Sequence, residues 1–452
     1  MTQTIIEPRT LKGFRDYLPA AMLQREWMME TARSVYRRFG FVPIDTPALE
    51  YFEVLTGKGS EETDRQMYHF QHGRHHVGLR FDLTVPLARF VAQHHPQLGL
   101  PFKRYQIAPV WRGENTQAGR YREFVQCDFD TIGTESVVAD IETILVVNQL
   151  LESLGIDRFR IRVNSRRVLT GLLRAIDAAD RSTAVLRALD KLDKQGEESV
   201  TQELSAAGLS GSQADAVLAM GRLEGDNGQI LQQLRSQLGD HSEAADGIDR
   251  LEQICEATAA AGIAADRVQI DVRIARGLDY YTGVVFETIL LDAPHFGSVC
   301  SGGRYDNLAG LYTKQHLPGI GGSLGLDRLL AAVEELQLPS DAALSRTVFV
   351  PYFDADRLND YVRLASTLRD AGIAAEVYPE PKKLGQQLKY ADARGFPVAV
   401  IAGSDELNRG VCQIKDLRNK TSTELAWRDN PQSLPDAVRP LLALPPSRGL
   451  LS

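Results

Sequence analysis

The chain is poor in cysteine. Cys127, Cys255, Cys300 and Cys412 are scattered through 452 residues, and no two have C-x-x-C spacing. Neither a zinc ribbon nor a disulfide framework is indicated, and a reduced cytoplasm fits. No run approaches the roughly eighteen apolar residues of a membrane span, and the N-terminus lacks a signal-peptide pattern, so no membrane partner is expected. No G-x-x-x-x-G-K-[ST] loop occurs, and Leu324 stands where a dinucleotide fingerprint needs glycine. A bound nucleotide must then be held by arginines on an antiparallel sheet. Positive charge is not in excess either: 51 Lys and Arg against 59 Asp and Glu leave a net charge of −8. That argues against a generic nucleic-acid coat, though not against a local basic face.

What is present is the balance of a soluble globular enzyme, 43% hydrophobic and 24% charged, long enough for about three domains. In Arg276-Gly277-Leu278-Asp279-Tyr280-Tyr281-Thr282-Gly283 a guanidinium and two phenols share a turn between strand-like runs, Val268 to Ile274 and Val284 to Ile289. Alone, this reads equally as a hairpin whose Arg stacks on its Tyr. Arg112 to Arg122 joins two further strand-like runs with an arginine-rich loop, which suits a planar or anionic ligand. Beyond it, Arg120, Arg122, Phe124, Gln126, Asp128 and Asp130 share one face and Tyr121, Val125, Cys127 and Phe129 the other. Lys103 to Trp111 and Phe81 to Arg89 suggest a wide sheet, in which an acid–amide row lines a cup. Gly319 to Leu330 reads as a glycine-rich strand running into a helix with Arg328 in its first turns.

Elsewhere, Leu23 to Phe39 carries helical periodicity stopped by Gly40. From about Arg166 to Gly262 the composition turns to Ala, Leu, Gln, Asp and Arg, a run of helices without identifiable chemistry. After a linker come strand-like Thr347 to Phe353, Ala374 to Tyr378, Pro397 to Ala402 and Val411 to Leu417. Helical Arg357 to Ala371 and Leu384 to Arg394 alternate with the first three, so the tail reads as a small α/β domain. From Lys382 to Lys420 eight basic residues face four acidic ones, either a phosphate-binding patch or a solvated face. His69, His72, His75 and His76 read as a hairpin tip, not a metal site. Gly57-Lys58-Gly59-Ser60 reads as a loop near the site.

Together these segments resemble the histidyl-tRNA synthetase family of the class II aminoacyl-tRNA synthetases, over nearly the whole chain. Lys12 to Pro19 resembles the family's N-terminus, Gly40 to Pro47 motif 1, Arg112 to Asp130 motif 2 and Gly319 to Leu330 motif 3. Arg276 to Thr282 and Ser301-Gly302-Gly303-Arg304-Tyr305-Asp306 resemble two signatures peculiar to the histidine enzymes. Leu384 to Ala391 and Gly410 to Leu417 resemble the anticodon-binding domain.

The resemblance implies an α+β catalytic domain with a large antiparallel sheet flanked by helices, a helical insertion and a C-terminal α/β anticodon-binding domain. The expected boundaries are 1–165 and 263–335 for the catalytic domain, 166–262 for the insertion, 336–345 for a linker and 346–452 for the C-terminal domain. It implies a homodimer acting on L-histidine, ATP with Mg²⁺, and tRNA(His). Arg112 and Arg276 are expected about the α-phosphorus, Glu114 at the adenine, and Arg120 and Arg328 on the outer phosphates. Asp82, Leu83 and Thr84 are expected at the substrate ammonium, and Gln126, Asp130, Tyr280 and Tyr281 around the imidazole. Position 82 is Asp where part of the family carries Glu, a shorter reach to the ammonium. The alternative is a non-catalytic histidine sensor such as the regulatory subunit of ATP phosphoribosyltransferase.

Overall fold

The computed structural model describes residues 6–56, 65–116, 119–274, 280–338 and 346–442, except the side chains at 193 and 194. It divides into two units, residues 1–16 with 28–338 and residues 17–27 with 339–452. The first contributes, in chain order, β1 (Val42–Pro43), β2 (Leu49–Tyr51), β3 (His69–His72), β4 (His75–Leu79), β5 (Phe102–Trp111) and β6 (Glu123–Ile132). Then follow β7 (Phe159–Ser165), β8 (Val268–Ile270), β9 (Val284–Leu290), β10 (Ser298–Arg304) and β11 (Gly319–Gly325). Eight strands form one sheet in the order β1-β5-β6-β11-β10-β9-β7-β8, and β2-β4-β3 form a small second sheet.

The large sheet is mixed. Its five inner pairings are antiparallel, whereas β1 with β5 and β7 with β8 at the edges are parallel. Parallel neighbours need a long crossover. Between β7 and β8 it is made by helices running from Arg166–Ala175 to Ser242–Ala260. At the centre β5 and β6 pair from Phe102 opposite Ile132 to Trp111 opposite Glu123.

The two faces of β6 differ. Cys127 and Phe129 are fully buried under the helix Pro19–Arg38, whose Met28, Ala32, Val35 and Tyr36 are fully buried too. The Tyr36 hydroxyl donates to the Cys127 carbonyl at 2.8 Å, and its ring lies 5.1 Å from that of Phe129. Met28, Val35 and Phe129 each contribute about 1.5–3 kcal/mol on leaving water. Gly40, at φ 79°, turns the chain after the helix.

Phe81 to Arg89 is not a strand of this sheet. A helix, Thr84–Leu98, occupies most of it. Asp82 Oδ1 accepts from the N–H groups of Thr84 (3.1 Å) and Val85 (2.9 Å), satisfying the helix start. Pro86 falls in the first turn, where its missing N–H is not needed. Leu87, Ala88 and Val91 then bury one side.

The second unit holds β12 (Val348–Val350), β13 (Ala375–Val377), β14 (Val398–Ile401), β15 (Val411–Asp416) and β16 (Thr421–Ala426), in the order β13-β12-β14-β15-β16. Val348, Val350, Val398 and Val400 pack with Tyr361, Leu364 and Leu368 of the helix Leu358–Asp370 and with Trp427. β16 had no signal in the sequence because it is exposed along nearly its whole length and shows no apolar alternation. Among the described residues no helix is long and apolar enough to cross a membrane.

Candidate active site

On the face of β6 turned away from the helix Pro19–Arg38, Gln126, Asp128 and Asp130 line an open cleft. Thr84, Arg112, Glu114, Arg120, Tyr280, Tyr281 and Arg328 line it with them. Nine of the twelve residues singled out from the sequence therefore share one cavity, and the cup reading of the acid–amide row holds.

The floor beside β6 is the glycine-rich β11, with Gly321 opposite Asp130, Ser323 opposite Asp128 and Gly325 opposite Gln126. A Cβ on Gly321 would lie 2.0 Å from Asp130 Oδ1, and one on Gly302 of β10 would lie 2.1 Å from the Gly321 carbonyl oxygen. These glycines make room for side chains reaching over the sheet. Arg104 of β5 stands opposite Asp130, with Nη2 2.6 Å from Oδ2 and both groups buried. Tyr305 donates its hydroxyl to Asp130 Oδ1. Burial raises the Asp130 pKa while Arg104 and the Tyr305 bond pull it down. A buried charge persists only when so paired. Gln126 Nε2 donates to Ser323 Oγ at 2.9 Å.

Asp128 is less well satisfied. It is buried, and its Oδ1 has no hydrogen-bond partner among the described residues. Burial raises its carboxyl to about 7; Arg104 opposes that shift and Asp130 adds to it. A carboxyl of this kind, lining a cleft with an unmade bond, suits a ligand N–H.

One end of the cleft carries fixed positive charge. The Arg112 guanidinium lies between the rings of Phe81 (4.4 Å) and Phe124 (5.1 Å), and Nε donates to the Phe81 carbonyl at 3.0 Å. Two rings and one hydrogen bond hold the fork without neutralising it. Arg328 leaves the first turn of the helix Leu326–Glu335 and donates to the Ser298 carbonyl. Burial lowers its pKa to about 10, as do Arg120 and Arg112, while Glu114 and Glu287 act the other way. Gly119, at φ 69°, packs against this helix, where a Cβ would lie 3.1 Å from Arg328 Cα.

At the other end the Tyr280 hydroxyl lies 3.4 Å from Asp82 Oδ2, and Tyr280 packs edge-on against Tyr281 at 5.2 Å. Burial raises the Asp82 pKa, and the Val85 N–H and Arg112 oppose that shift. Asp82 thus sits behind Tyr280 and also holds the helix start. Leu83 is fully buried against Ala108 and Val110, and its carbonyl is 3.5 Å from Arg104 Nη2, so its side chain does not reach the cleft. Arg276 and Gly57-Lys58-Gly59-Ser60 lie outside the described residues.

Asp128, Arg104, Tyr305, Ser323 and Glu287 were missed as site residues. Asp128 was visible on the acid–amide face and Tyr305 inside a signature. The place of Arg104 depends on a cross-strand register that one strand does not disclose. The His69–His76 stretch forms an antiparallel hairpin with His72 opposite His75, and His69 Nδ1 lies 3.0 Å from His76 Nε2. Among the described residues no group of three or more His, Cys, Asp or Glu side chains is placed to hold a metal ion.

The cleft joins guanidiniums for an anionic planar ligand to a hydrogen-bonding, acid-lined pocket for a small polar one. Comparison with known proteins gives the same picture. The family model described as histidyl-tRNA synthetase matches residues 13–329, and the one described as anticodon binding domain matches 347–434. A histidine–tRNA ligase of Rhodopirellula baltica is 61% identical over 96% of this chain and 99% of its own length. One of Wolinella succinogenes is 44% identical over 92% and 95%. The crystal structure of a histidyl-tRNA synthetase from a Nostoc species superposes with a TM-score of 0.87 at 32% identity, over 96% of this chain and all of that one.

Proposed function

We infer the function from one premise: the chain belongs to the histidyl-tRNA synthetase family. It is a histidine–tRNA ligase. It activates L-histidine with ATP to the adenylate, releasing pyrophosphate, and transfers histidine to the terminal ribose of tRNA(His). The observation that carries this reading is the single cleft uniting Arg112, Arg120 and Arg328 with Gln126, Asp130, Tyr280 and Tyr281.

Activation brings a carboxylate against the α-phosphorus, so two anions must meet, and the protein's task is fixed positive charge. Arg112 serves the α-phosphate because its planar fork is held between two rings. Arg276 is assigned the other side of that centre. Arg120 and Arg328 take the outer phosphates and Glu114 the adenine. Magnesium binds through one or two carboxylates plus substrate phosphates. Glu287, which lines the cleft and acts electrostatically on Arg328, fits that donor set. When bound, the ion neutralises charge on the leaving pyrophosphate.

Thr84, which lines the cleft, receives the ammonium group, and Asp82 supports it from behind Tyr280 with its negative charge. Gln126, Asp130, Tyr280 and Tyr281 surround the imidazole. A pocket that hydrogen-bonds both ring nitrogens rejects isosteres lacking them by roughly 10⁴–10⁵. No general base stands out among the motif residues, so an adenylate phosphate oxygen is assigned the proton in transfer. If replacing Gln126, Asp130 or Glu114 abolished single-turnover transfer while adenylate formation survived, that assignment would be wrong.

The active form is a homodimer working in the cytoplasm. Leu49 and Tyr51 of β2 and Phe70 of β3 fall on one side of the small sheet by register through Val77 and Leu79. They are 45–51% exposed, an apolar face suited to a second copy. Sedimentation as a monomer at micromolar concentration would remove this part. The sensor alternative is disfavoured by the presence of both arginine motif positions and the anticodon-binding match. Histidine-dependent exchange of pyrophosphate into ATP tests the whole reading, and its absence would sink it.

A further inference from the structure

A buried charge cluster lies behind the amino-acid end of the cleft and lines none of it. Arg304, 1% exposed at the end of β10, directs Nε (2.9 Å) and Nη2 (2.7 Å) at Asp140 Oδ1, and Asp140 is fully buried in the helix Val137–Ser153. The same guanidinium donates to the carbonyls of Thr134 (3.0 Å) and Ser136 (3.3 Å), the turn before that helix. A second guanidinium meets this turn from another direction. Arg250, on the insertion helix Ser242–Ala260, places Nε 3.1 Å from Asp140 Oδ2 and donates to the Glu135 carbonyl. One carboxylate thus faces two guanidiniums: Arg304 from the sheet hydrogen-bonds Oδ1, and Arg250 from the insertion forms an ion pair with Oδ2 without a hydrogen bond.

The cluster continues toward the cleft. Arg304 Nη1 lies 3.2 Å from Asp306 Oδ1, and Thr282 Oγ1 donates to Asp306 Oδ2 at 2.7 Å. The Thr282 N–H donates to the Arg304 carbonyl at 2.7 Å. Thr282 follows directly on Tyr280 and Tyr281, the phenols that line the cleft. Within the cluster two arginines balance two aspartates, and Arg167, itself paired with Asp246, acts on Arg250 from the margin. Without Arg250, two carboxylates would share one guanidinium in a buried setting, and rearrangement of Arg304 would relieve the excess charge. Thr282 is held by the Arg304 backbone carbonyl and by Asp306, whose carboxylate the Arg304 guanidinium faces.

We propose that Arg250 is a positioning residue for the amino-acid pocket, acting through Asp140, Arg304 and Asp306 on the segment that carries Tyr280 and Tyr281. The seating of the helical insertion thereby sets the fit of the pocket for histidine. This rests on the activation reading above. Its signature is a change in histidine affinity that leaves the ATP end untouched, because no member of the cluster lines the arginine end of the cleft.

The experiment is pyrophosphate exchange with the full chain and no tRNA, varying histidine and ATP separately. Arg250→Gln is expected to raise KM for histidine roughly tenfold, with KM for ATP and kcat within about twofold. Arg250→Lys, which keeps the charge, should return KM for histidine to within about threefold of the parent. Arg235→Gln is the control: Arg235 pairs with Asp249 (2.7 Å) and Glu252 (2.6 Å) of the same insertion helix and should leave every parameter within about twofold. Combining Arg250→Gln with Asp306→Asn should raise KM for histidine by no more than the larger single change, since both act through one cluster. The proposal is overturned by an unchanged KM for histidine, by single effects that multiply, or by an equal effect from Arg235→Gln. A joint loss of kcat and both KM values with a lowered melting midpoint also overturns it, as general loosening. An unsubstituted chain that shows no histidine-dependent exchange would instead remove the activation reading itself.

Discussion

The eight-stranded and five-stranded sheets differ in what they bury. Within the large sheet Arg104, Gln126, Asp128, Asp130 and Arg304 are all at most 8% exposed. In the five-stranded sheet the interior is Val348, Val350, Val398, Val400 and Ile414. There, charges lie mostly outside, as with Arg409 and Glu424, 2.6 Å apart and both exposed. A sheet that only has to fold removes apolar surface from water, at about 25 cal/mol per Å². A sheet that must hold charged substrates takes desolvated ions inside and pairs most of them with partners from other strands and helices. The chemistry of this chain is concentrated where hydrophobic packing has been given up.

That contrast can be broken by substitution, beginning with the strongest effect. Arg112→Gln keeps size and hydrogen-bonding capacity but loses the charge between Phe81 and Phe124. Exchange is expected to fall by on the order of 10³ with little change in melting temperature. Normal exchange would mean that fixed charge at this position is dispensable. Leu364→Ala, in the apolar core of the other sheet, should do the reverse: a loss of about 2–5 kcal/mol by denaturant titration, with exchange intact in the folded chain.

Asp128→Asn sits between these extremes. In the unfolded chain this carboxyl ionises near 4, whereas burial holds it to about 7 in the fold. Between those values the folded chain keeps a proton that the unfolded chain releases, so this group lowers stability as pH rises. The asparagine variant should melt above the parent at pH 8 and no higher than the parent at pH 4. Its KM for histidine should be a few-fold raised at pH 8 and nearly unchanged at pH 6, where the parent carboxyl is already mostly neutral. A pH-independent difference in either measurement would place the raised pKa elsewhere. Arg409→Gln should have the least effect, removing an exposed pair worth at most about 1 kcal/mol.

Much of the site was legible in the sequence because alternation reports faces reliably in long strands. β6 displays its acids and amide at 126, 128 and 130 with cysteine and phenylalanine between them, and that is the face that lines the cleft. Short or exposed segments gave less. β16 hides no apolar side. Phe81 to Arg89 looked like sheet because its β-branched and aromatic content outweighed the helix-starting signals of Asp82 and Pro86. Pairing across strands was the other gap: Arg104 meets Asp130 only through the β5–β6 register, and Asp140 meets Arg304 across 164 residues. Such partners are properties of topology, invisible to any local window.

The glycine floor of β11 bears on redesign of the enzyme toward enlarged histidine analogues. A strand whose residues 321 and 322 already lack side chains has nothing left to trim, and Asp130 rests directly on it. Space for a ring-methylated imidazole must therefore be carved from the phenol side, at Tyr281 or Tyr305. A library that varies the floor would yield mostly inactive clones.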